Sequence, residues 1–278
     1  MAGVVVAALL LTLLLAPVDW GVVSAEIHAG VTSRGFWTAA GVGLFAQMVD
    51  GALGMAYGVT STTFLLSTGV TPAAASASVH IAEIFTTGFS GFSHWKLGNV
   101  NKALFKRLLI PGIAGGLIGA YLVTNLDSTV LRPWISGYLV LIGLFILVKA
   151  FRTIRIRTDP PTYVAPLGLI GGFVDAIGGG GWGPVVTTSL VGSGQDPRTT
   201  IGSVNAAEFF LAVSTGFSFA LLGGLTHWTT IAGLVVGGLF AAPFAAALVR
   251  YLPTRVLLII VGLLITSLSI WNLWKAFG

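Results

Sequence analysis

Four of the nine acidic residues lie inside strongly apolar stretches of the chain, at Asp50, Glu83, Asp175 and Glu208. A carboxylate at the centre of a bilayer costs about 2.5 to 3.5 kcal/mol on insertion scales. These acids are therefore predicted to face a polar interior or to carry protons. The alternative is a structural role, in which they hydrogen-bond to backbone, Ser or Thr across helix contacts.

A glycine-rich segment follows each of the two aspartates. The segments are "VDGALGMAYG" (49–58) and "VDAIGGGGWG" (174–183), and four consecutive glycines disfavour a continuous helix by about 1 kcal/mol each relative to alanine. A helix that breaks in mid-membrane exposes free N–H groups at the start of its second piece, and such an N-terminus binds anions. Glycine also lets the backbone approach a ligand closely. The alternative, glycine for close helix packing, fits residues 112–120 better.

A polar stripe with helical spacing runs along the span that follows the first glycine segment. It consists of Ser76, His80, Glu83 and Thr87. The second half of the chain places Asn205 and Glu208 in the same register. Glu83, Glu208 and His80 are the candidates for proton coupling, because a histidine three residues from an acid can titrate near neutral pH. The alternative for His80 is a hydrogen-bonded packing residue.

These patterns together predict an anion site near the middle of the membrane, between the two glycine segments. Trp182 lies inside the second segment and is predicted to line or gate this site. The predicted substrate-binding residues are Asp50, Gly54, Gly58, His80, Asp175, Gly179, Gly180, Gly181, Trp182 and Asn205.

The composition indicates the elements that must position these residues. Of 278 residues, 55% are hydrophobic and 8% are charged, whereas soluble domains carry about 25% charged residues. Apolar segments of about 17 to 23 residues suit membrane-spanning helices, and they lack the alternation of a membrane barrel. With no cysteine and four histidines, no metal site and no cofactor are expected. The net charge is +5, and the basic residues lie in short loops between the apolar segments, where they orient a membrane protein. Membrane lipid is therefore an expected partner, and nucleic acid is not.

An internal repeat organises the chain. Residues 50–93 align with 175–218 without a gap, and 16 of the 44 pairs are identical, which indicates two related halves. We predict an all-α polytopic membrane protein with about seven transmembrane helices and two re-entrant helical hairpins. The predicted divisions are a first span and external loop (1–35), repeat 1 (36–150), a basic cytoplasmic linker (151–162) and repeat 2 (163–278).

Each repeat is predicted to contain one hairpin and three full spans. The hairpins pair 36–50 with 57–67 and 163–177 with 183–192. The spans are 73–95, 108–125 and 134–150, then 200–220, 231–249 and 256–274. Three is odd, so the halves should face opposite ways, which is a hallmark of secondary transporters.

The basic residues orient this arrangement. It places 11 of the 14 Lys and Arg on one side, which is then the cytoplasm. Residues 1–17 lack the positive n-region of a signal peptide and are predicted to be a span. The prediction is a multi-pass protein of the bacterial inner membrane with a cytoplasmic N-terminus and an external C-terminus.

The tandem glycine segments, followed by "GVTPAAASASVHIAEIF" and "GQDPRTTIGSVNAAEFF", resemble the TauE/SafE family of sulfite and organosulfonate exporters over about residues 36–275. The resemblance implies export of a small sulfur-containing anion such as sulfite or sulfoacetate. In one departure, Met55, Ala56 and Tyr57 stand where the second segment has glycine, glycine and tryptophan, so the two hairpins need not bind substrate equally.

Two other functions remain open from the sequence. One is a passive anion channel on the same fold. The other is an intramembrane serine protease, because "GFSG" (88–91) matches a G-x-S-G pattern and His227 or His80 is available as a base. The repeat disfavours the protease, since Ser90 pairs with Thr215 in the second half. No G-x-x-x-x-G-K-[ST] motif for nucleotide binding is present, and the chain is predicted not to be an enzyme.

Overall fold

The structure is a computed structural model that describes residues 18–151, 161–223, 225–251 and 254–277. Within these ranges every regular element is a helix. The predicted first span at 1–17 and most of the predicted linker at 151–162 lie outside the described residues.

Eleven α-helices are described. In chain order they are α1 (Trp20–Gly30), α2 (Arg34–Leu53), α3 (Tyr57–Ser67), α4 (Pro72–Lys96), α5 (Lys102–Asn125), α6 (Ser128–Lys149), α7 (Val164–Gly178), α8 (Thr188–Gly192), α9 (Pro197–Leu221), α10 (Trp228–Tyr251) and α11 (Thr254–Phe277). A π-helical turn at Gly183–Thr187 leads directly into α8. By length and composition, α5, α6, α9 and residues 255–276 of α11 can each cross a membrane. The chain is therefore an all-helical, polytopic membrane protein, as predicted.

The helix ends follow from capping residues. Thr71 and Asp196 cap α4 and α9 at equivalent positions of the repeat, each followed by proline at the first helical position. Asn101 and Asp127 cap α5 and α6. These two caps start both helices six residues before the predicted spans at 108 and 134.

Two further differences from the predicted elements lie before the first glycine segment. Helix α1, capped by Asp19, occupies what is predicted to be an external loop. Helix α2 has 20 residues, so it is longer than the predicted hairpin arm at 36–50, because Ser33 caps it early and Gly54 ends it late.

Equivalent helices of the two halves run antiparallel to each other. In the pair α4 and α9, Gly91 lies against Ala206, whereas Ile81 lies against Gly216. The contact therefore moves backwards along α4 as it moves forwards along α9. Helices α6 and α11 are also equivalent and pack against each other. Antiparallel packing of equivalent helices is the geometry of two inverted repeats.

Each half also packs its first hairpin arm on the other half. Helix α7 packs on α5 and α2 packs on α10, through small residues that allow close backbone approach. Gly168 lies against the backbone of Leu108, and Gly119 lies against the carbonyl of Phe173. The glycines of residues 112–120 thus serve helix packing, as the sequence indicates.

The chain turns back after α7. The Tyr163 hydroxyl, just before α7, donates to the Ser189 carbonyl in α8 at 3.3 Å. The segment after the break therefore returns to the end where α7 begins, which is the course expected of a helical hairpin. Its entry and exit on one membrane face stay a prediction.

Candidate functional site

Two helix breaks meet at the centre of the bundle. Helix α2 ends at Gly54 with φ +66° and helix α7 ends at Gly179 with φ +63°, left-handed conformations that glycine adopts without strain. The Thr62 hydroxyl donates to the Gly179 carbonyl, and the Thr187 hydroxyl donates to the Gly54 carbonyl at 3.3 Å. Each break is therefore held by the second arm of the opposite half.

The backbones of the two breaks touch where glycine is needed. Gly180 has φ +143°, and a Cβ there would lie 2.2 Å from the carbonyl carbon of Gly58 and from the nitrogen of Val59. A Cβ on Gly58 would lie 2.7 Å from Glu83 Oε1. Gly58 and Gly180 thus lie against each other, and glycine at these positions allows the close approach of one hairpin to the other.

The chain's own aspartate occupies the amides that the second break frees. Asp175 Oδ1 accepts hydrogen bonds from the N–H groups of Gly181 at 2.7 Å and Trp182 at 2.9 Å. The equivalent Asp50 Oδ1 accepts one bond, from Tyr57 N–H at 3.4 Å. An anion that binds at the second break would have to displace the Asp175 carboxylate from these two N–H groups. At the first break, a single longer hydrogen bond holds the Asp50 carboxylate.

His80 and Asp175 form a buried pair. His80 Nε2 lies 3.1 Å from Asp175 Oδ2, and both side chains are almost fully buried. His80 Nδ1 lies 2.8 Å from the Ser76 carbonyl, which only accepts, so Nδ1 carries a proton. The bond between Nε2 and Oδ2 then holds one proton, either on the imidazole or on the carboxyl group. The pair therefore links α4 of the first half to α7 of the second half inside the bundle.

Two glutamates complete the cluster of buried acids. Glu83 is 1% exposed, and its Oε2 has no hydrogen-bond partner among the described residues. Glu208 is 7% exposed and interacts electrostatically with Asp50 and Asp175. Four carboxylates so close together cannot all stay charged without counter-ions or protons.

The same cluster has the donor atoms of a cation site. One ligand atom from each of His80, Glu83 and Asp175 lies within 4.8 Å of the other two. An imidazole with two carboxylates is a set that suits several divalent metals. The expectation from the sequence, that the protein holds no metal, stays a prediction.

Trp182 and Asn205 are placed differently from the other predicted site residues. Trp182 is fully buried, and its indole N–H donates to the Val204 carbonyl at 3.1 Å, so this side chain has no free polar atom for a ligand. Asn205 donates to Ser90 Oγ at 3.1 Å, and its Oδ1 has no partner in the described ranges. Trp182 is therefore part of the packing around the site, whereas Asn205 retains a free acceptor.

Several residues at the site do not appear among the predicted ones. Thr62 and Thr187 stand at equivalent positions of the two repeats. This identity is the signal that could have indicated their hydrogen bonds across the breaks. Lys149 and Gln47 have no such signal, because Trp274 and Gly172 stand at the equivalent positions. Lys149 Nζ lies 3.2 Å from the Thr188 hydroxyl and 3.4 Å from the Met55 sulfur in the first break.

The geometry does not favour a serine protease. The Ser90 hydroxyl accepts from Asn205, while His80 is bound to Asp175 and His227 to Thr226. Neither histidine hydrogen-bonds to Ser90, so the described residues do not assemble the proposed nucleophile and base.

Comparisons with known proteins agree with a transport role. A family model described as "Sulfite exporter TauE/SafE" matches residues 39–271. The chain is 43% identical over 247 residues to the probable membrane transporter protein YtnM of Bacillus subtilis (strain 168), covering 84% of this chain and 82% of that protein. It is 24% identical over 251 residues to the probable membrane transporter protein YunE of the same organism, covering 81% and 92%. No solved structure matches the chain. The residues matched by the family model include both breaks and all four buried acids.

Proposed function

Because the chain belongs to the TauE/SafE family of sulfite exporters, we propose that it is a secondary transporter that carries a small sulfur-containing anion, such as sulfite or sulfoacetate, out of the cell. The proposal further assigns proton coupling to Glu83, Glu208 and His80. The membrane transport role rests on the family and on the apolar helices.

The buried acid cluster is the observation that carries the coupling. Two like charges about 5 Å apart repel by about 3 kcal/mol at an effective dielectric constant of about 20. An anion that approaches Glu83 and Asp175 therefore binds better when these groups are protonated. The unpartnered Oε2 of Glu83 and the single proton between His80 and Asp175 supply groups that can take up or release protons as the anion passes.

The membrane potential links this coupling to the direction of transport. An inside-negative potential assists outward movement of one negative charge by about 2.3 kcal/mol per 100 mV. An anion that leaves alone gains this assistance. A monoanion that leaves with one proton is electrically neutral and does not, so the charge moved per anion reports the number of protons.

The test is flux from liposomes that contain the purified protein. Efflux of sulfite and sulfoacetate is compared with efflux of acetate and sulfate while the internal and external pH and the membrane potential are set independently. The proposal expects saturable efflux of the sulfur anions and a dependence on pH. Absence of any sulfur-anion flux at every pH would overturn it.

Variants of the buried acids separate coupling from conduction. Glu83→Gln and Glu208→Gln should reduce the pH dependence of flux at least fivefold, because the amide cannot titrate. Asp127→Asn is a matched control, since Asp127 is an exposed helix cap and Asn caps equally well. Equal pH dependence in the wild type, the two variants and the control would remove the coupling residues from the proposal.

Counterflow distinguishes a carrier from a passive channel. A carrier loaded with unlabelled sulfoacetate accumulates labelled sulfoacetate transiently, because its site must return across the membrane. A channel does not. Sulfur-anion flux without counterflow would assign the same fold to a channel.

A further inference from the structure

A half-open cavity of about 310 Å³ lies between α2, α4 and α10, on the side of the bundle where α4 ends. Its polar lining comes from two helices. The lining side chains that can hydrogen-bond are Gln47, Ser90, Ser93 and His94. None of the described lining residues is acidic, which separates this cavity from the acid cluster.

Gln47 is buried with an unsatisfied amide. It is 2% exposed, and its Oε1 has no hydrogen-bond partner among the residues that the structure describes. A buried acceptor without a partner costs about 1 to 3 kcal/mol, so at the wall of a cavity it indicates a water or a hydroxyl that donates to it. The Nε2 amide group of the same side chain is the part that can donate to an anion.

His94 presents a neutral donor whose tautomer is fixed by its neighbours. Arg198 Nε donates to Asn99 Oδ1 at 2.7 Å, so the Asn99 amide nitrogen faces His94 Nδ1 at 3.2 Å. An amide nitrogen only donates, so Nδ1 accepts and the ring proton lies on Nε2. Ser90 adds a second donor, because its oxygen already accepts from Asn205 and its hydroxyl proton is free.

The cavity is specific to one half of the repeat. At the positions equivalent to Gln47 and His94, the second half has Gly172 and Phe219. A Cβ on Gly172 would lie 2.1 Å from the Gly112 carbonyl, so helix backbones fill that space. Phe219 is fully buried beside the His80 ring, with ring centroids 5.6 Å apart. The equivalent position in the second half therefore holds no such cavity among the described residues. The polar lining is thus a feature of the first half and not a consequence of the repeat.

We propose that this cavity is an access site for the transported oxyanion, where the Gln47 Nε2 amide group, the Ser90 hydroxyl and His94 Nε2 donate hydrogen bonds to its oxygens before it reaches the buried acids. The inference rests on the proposed function and names its first binding site. Lys96 and Arg198 at the same end of the bundle attract anions toward the cavity. Gly51 lines the cavity in the last turn of α2, next to the cap at Gly54 that marks the first break.

The absence of cysteine in the chain allows a direct test. Ser93→Cys places one thiol in the cavity, and Ser24→Cys places one on the exposed surface of α1 as a control. Each thiol is labelled with a sulfonate-bearing methanethiosulfonate and, separately, with its trimethylammonium analogue. The thiolate attacks the reagent, forms a mixed disulfide and releases methanesulfinate.

The ratio of the anionic to the cationic labelling rate is expected to be at least fivefold higher at S93C than at S24C. Excess sulfoacetate should slow anionic labelling of S93C and leave S24C unchanged. Adding Gln47→Leu or His94→Phe to S93C should bring the ratio to the control value, whereas His227→Phe in an exposed loop should not. Thermal unfolding of each variant confirms that it is folded.

Equal rate ratios at the two thiols, or no protection by sulfoacetate, would overturn the access site. Labelling needs no transport, so the two proposals fail separately. Protection of S93C with no sulfur-anion flux from liposomes would keep the site and reject the proposed function. If sulfoacetate does not protect S93C and both lining variants still transport sulfur anions like the wild type, the proposed function is kept and the access site is rejected.

Discussion

The two helix breaks have the same sequence origin and different chemistry. Both begin with an aspartate, end a helix at a left-handed glycine and accept a cross-bond from a threonine of the other half. In the second break Asp175 accepts two short backbone bonds and pairs with His80. In the first, Asp50 accepts one long bond, and Asn205, which stands where the other half has His80, bonds to Ser90 instead. The aspartate of the second break is therefore more fully hydrogen-bonded than the aspartate of the first.

The unsatisfied groups gather on the side of the first break. In the helices of the first break, Gln47, Thr60 and Ser61 each have a buried oxygen without a partner in the described residues, whereas no such oxygen is found from α7 to α8. The open cavity also lies beside α2. An inverted repeat thus supplies a symmetric scaffold, while sequence differences between the halves leave polar groups without partners on one side. The comparison predicts that removing the aspartate of the second break costs more stability than removing the aspartate of the first.

The largest effect is expected for Gly180→Ala. Its Cβ would meet the backbone of the opposite hairpin at 2.2 Å, and φ is +143°, so neither break can relax without separating the hairpins. We expect a loss of more than about 4 kcal/mol, seen as failure to recover folded, monodisperse protein in detergent. Gly41→Ala is the control, because nothing lies within 4 Å of its Cβ position. Normal recovery of the G180A variant would contradict the close contact of the two breaks.

Removing the aspartates comes next and tests the inequality of the breaks directly. Asp175→Ala leaves two buried N–H groups unpaired at about 1 to 3 kcal/mol each, whereas Asp50→Ala leaves one that is weakly bound. The melting temperature should fall at least twice as far for D175A as for D50A. Asp175→Asn keeps an acceptor for the amides and should recover most of the loss. Equal destabilisation by D175A and D50A would show that the breaks are equally satisfied.

The sequence alone predicts the elements that symmetry repeats. The offset of 125 residues identifies the helices that run antiparallel, the glycines that meet and the acids that cluster, because identical residues occupy equivalent positions in both halves. It does not identify Gln47 or Lys149, because Gly172 and Trp274 stand at the equivalent positions and the repeat gives no signal there. It also cannot indicate that Asp175 fills the amides predicted for a substrate, because the spacing of six and seven residues that allows this depends on the backbone conformation of the break.

A smaller effect is expected when the threonine hydrogen bonds that link the two hairpins are removed. Thr62→Val and Thr187→Val each remove one cross-bond between hairpins, at a cost of about 1 to 2 kcal/mol, because a buried carbonyl loses its donor. Their melting temperatures should fall by similar amounts, and a double variant should show a combined loss close to the sum. Valine keeps the shape of threonine, so packing is the same in both. A loss confined to one of the two would mean that the breaks support each other unequally.

The smallest effect concerns the caps at the start of α4 and α9, where Thr71 and Asp196 occupy equivalent positions. The backbone N–H of Thr199 and then its hydroxyl hold the pKa of Asp196 below its ordinary value of 3.8. The folded state therefore gains stability from the ionised group at pH above 3.8 and loses it as the pH falls through the lowered pKa. Asp196→Thr should be less stable than the wild type by under about 1 kcal/mol at pH 6, and thermal unfolding should show this gap closing as the pH falls below 3.8. Thr71→Asp should introduce a weaker pH dependence of the same sign into the first half, because Ala74 stands where the second half has Thr199 and offers only its backbone N–H. A gap that stays constant from pH 6 to pH 3 would contradict the role of the Asp196 charge and leave a difference in shape between the two caps as its cause.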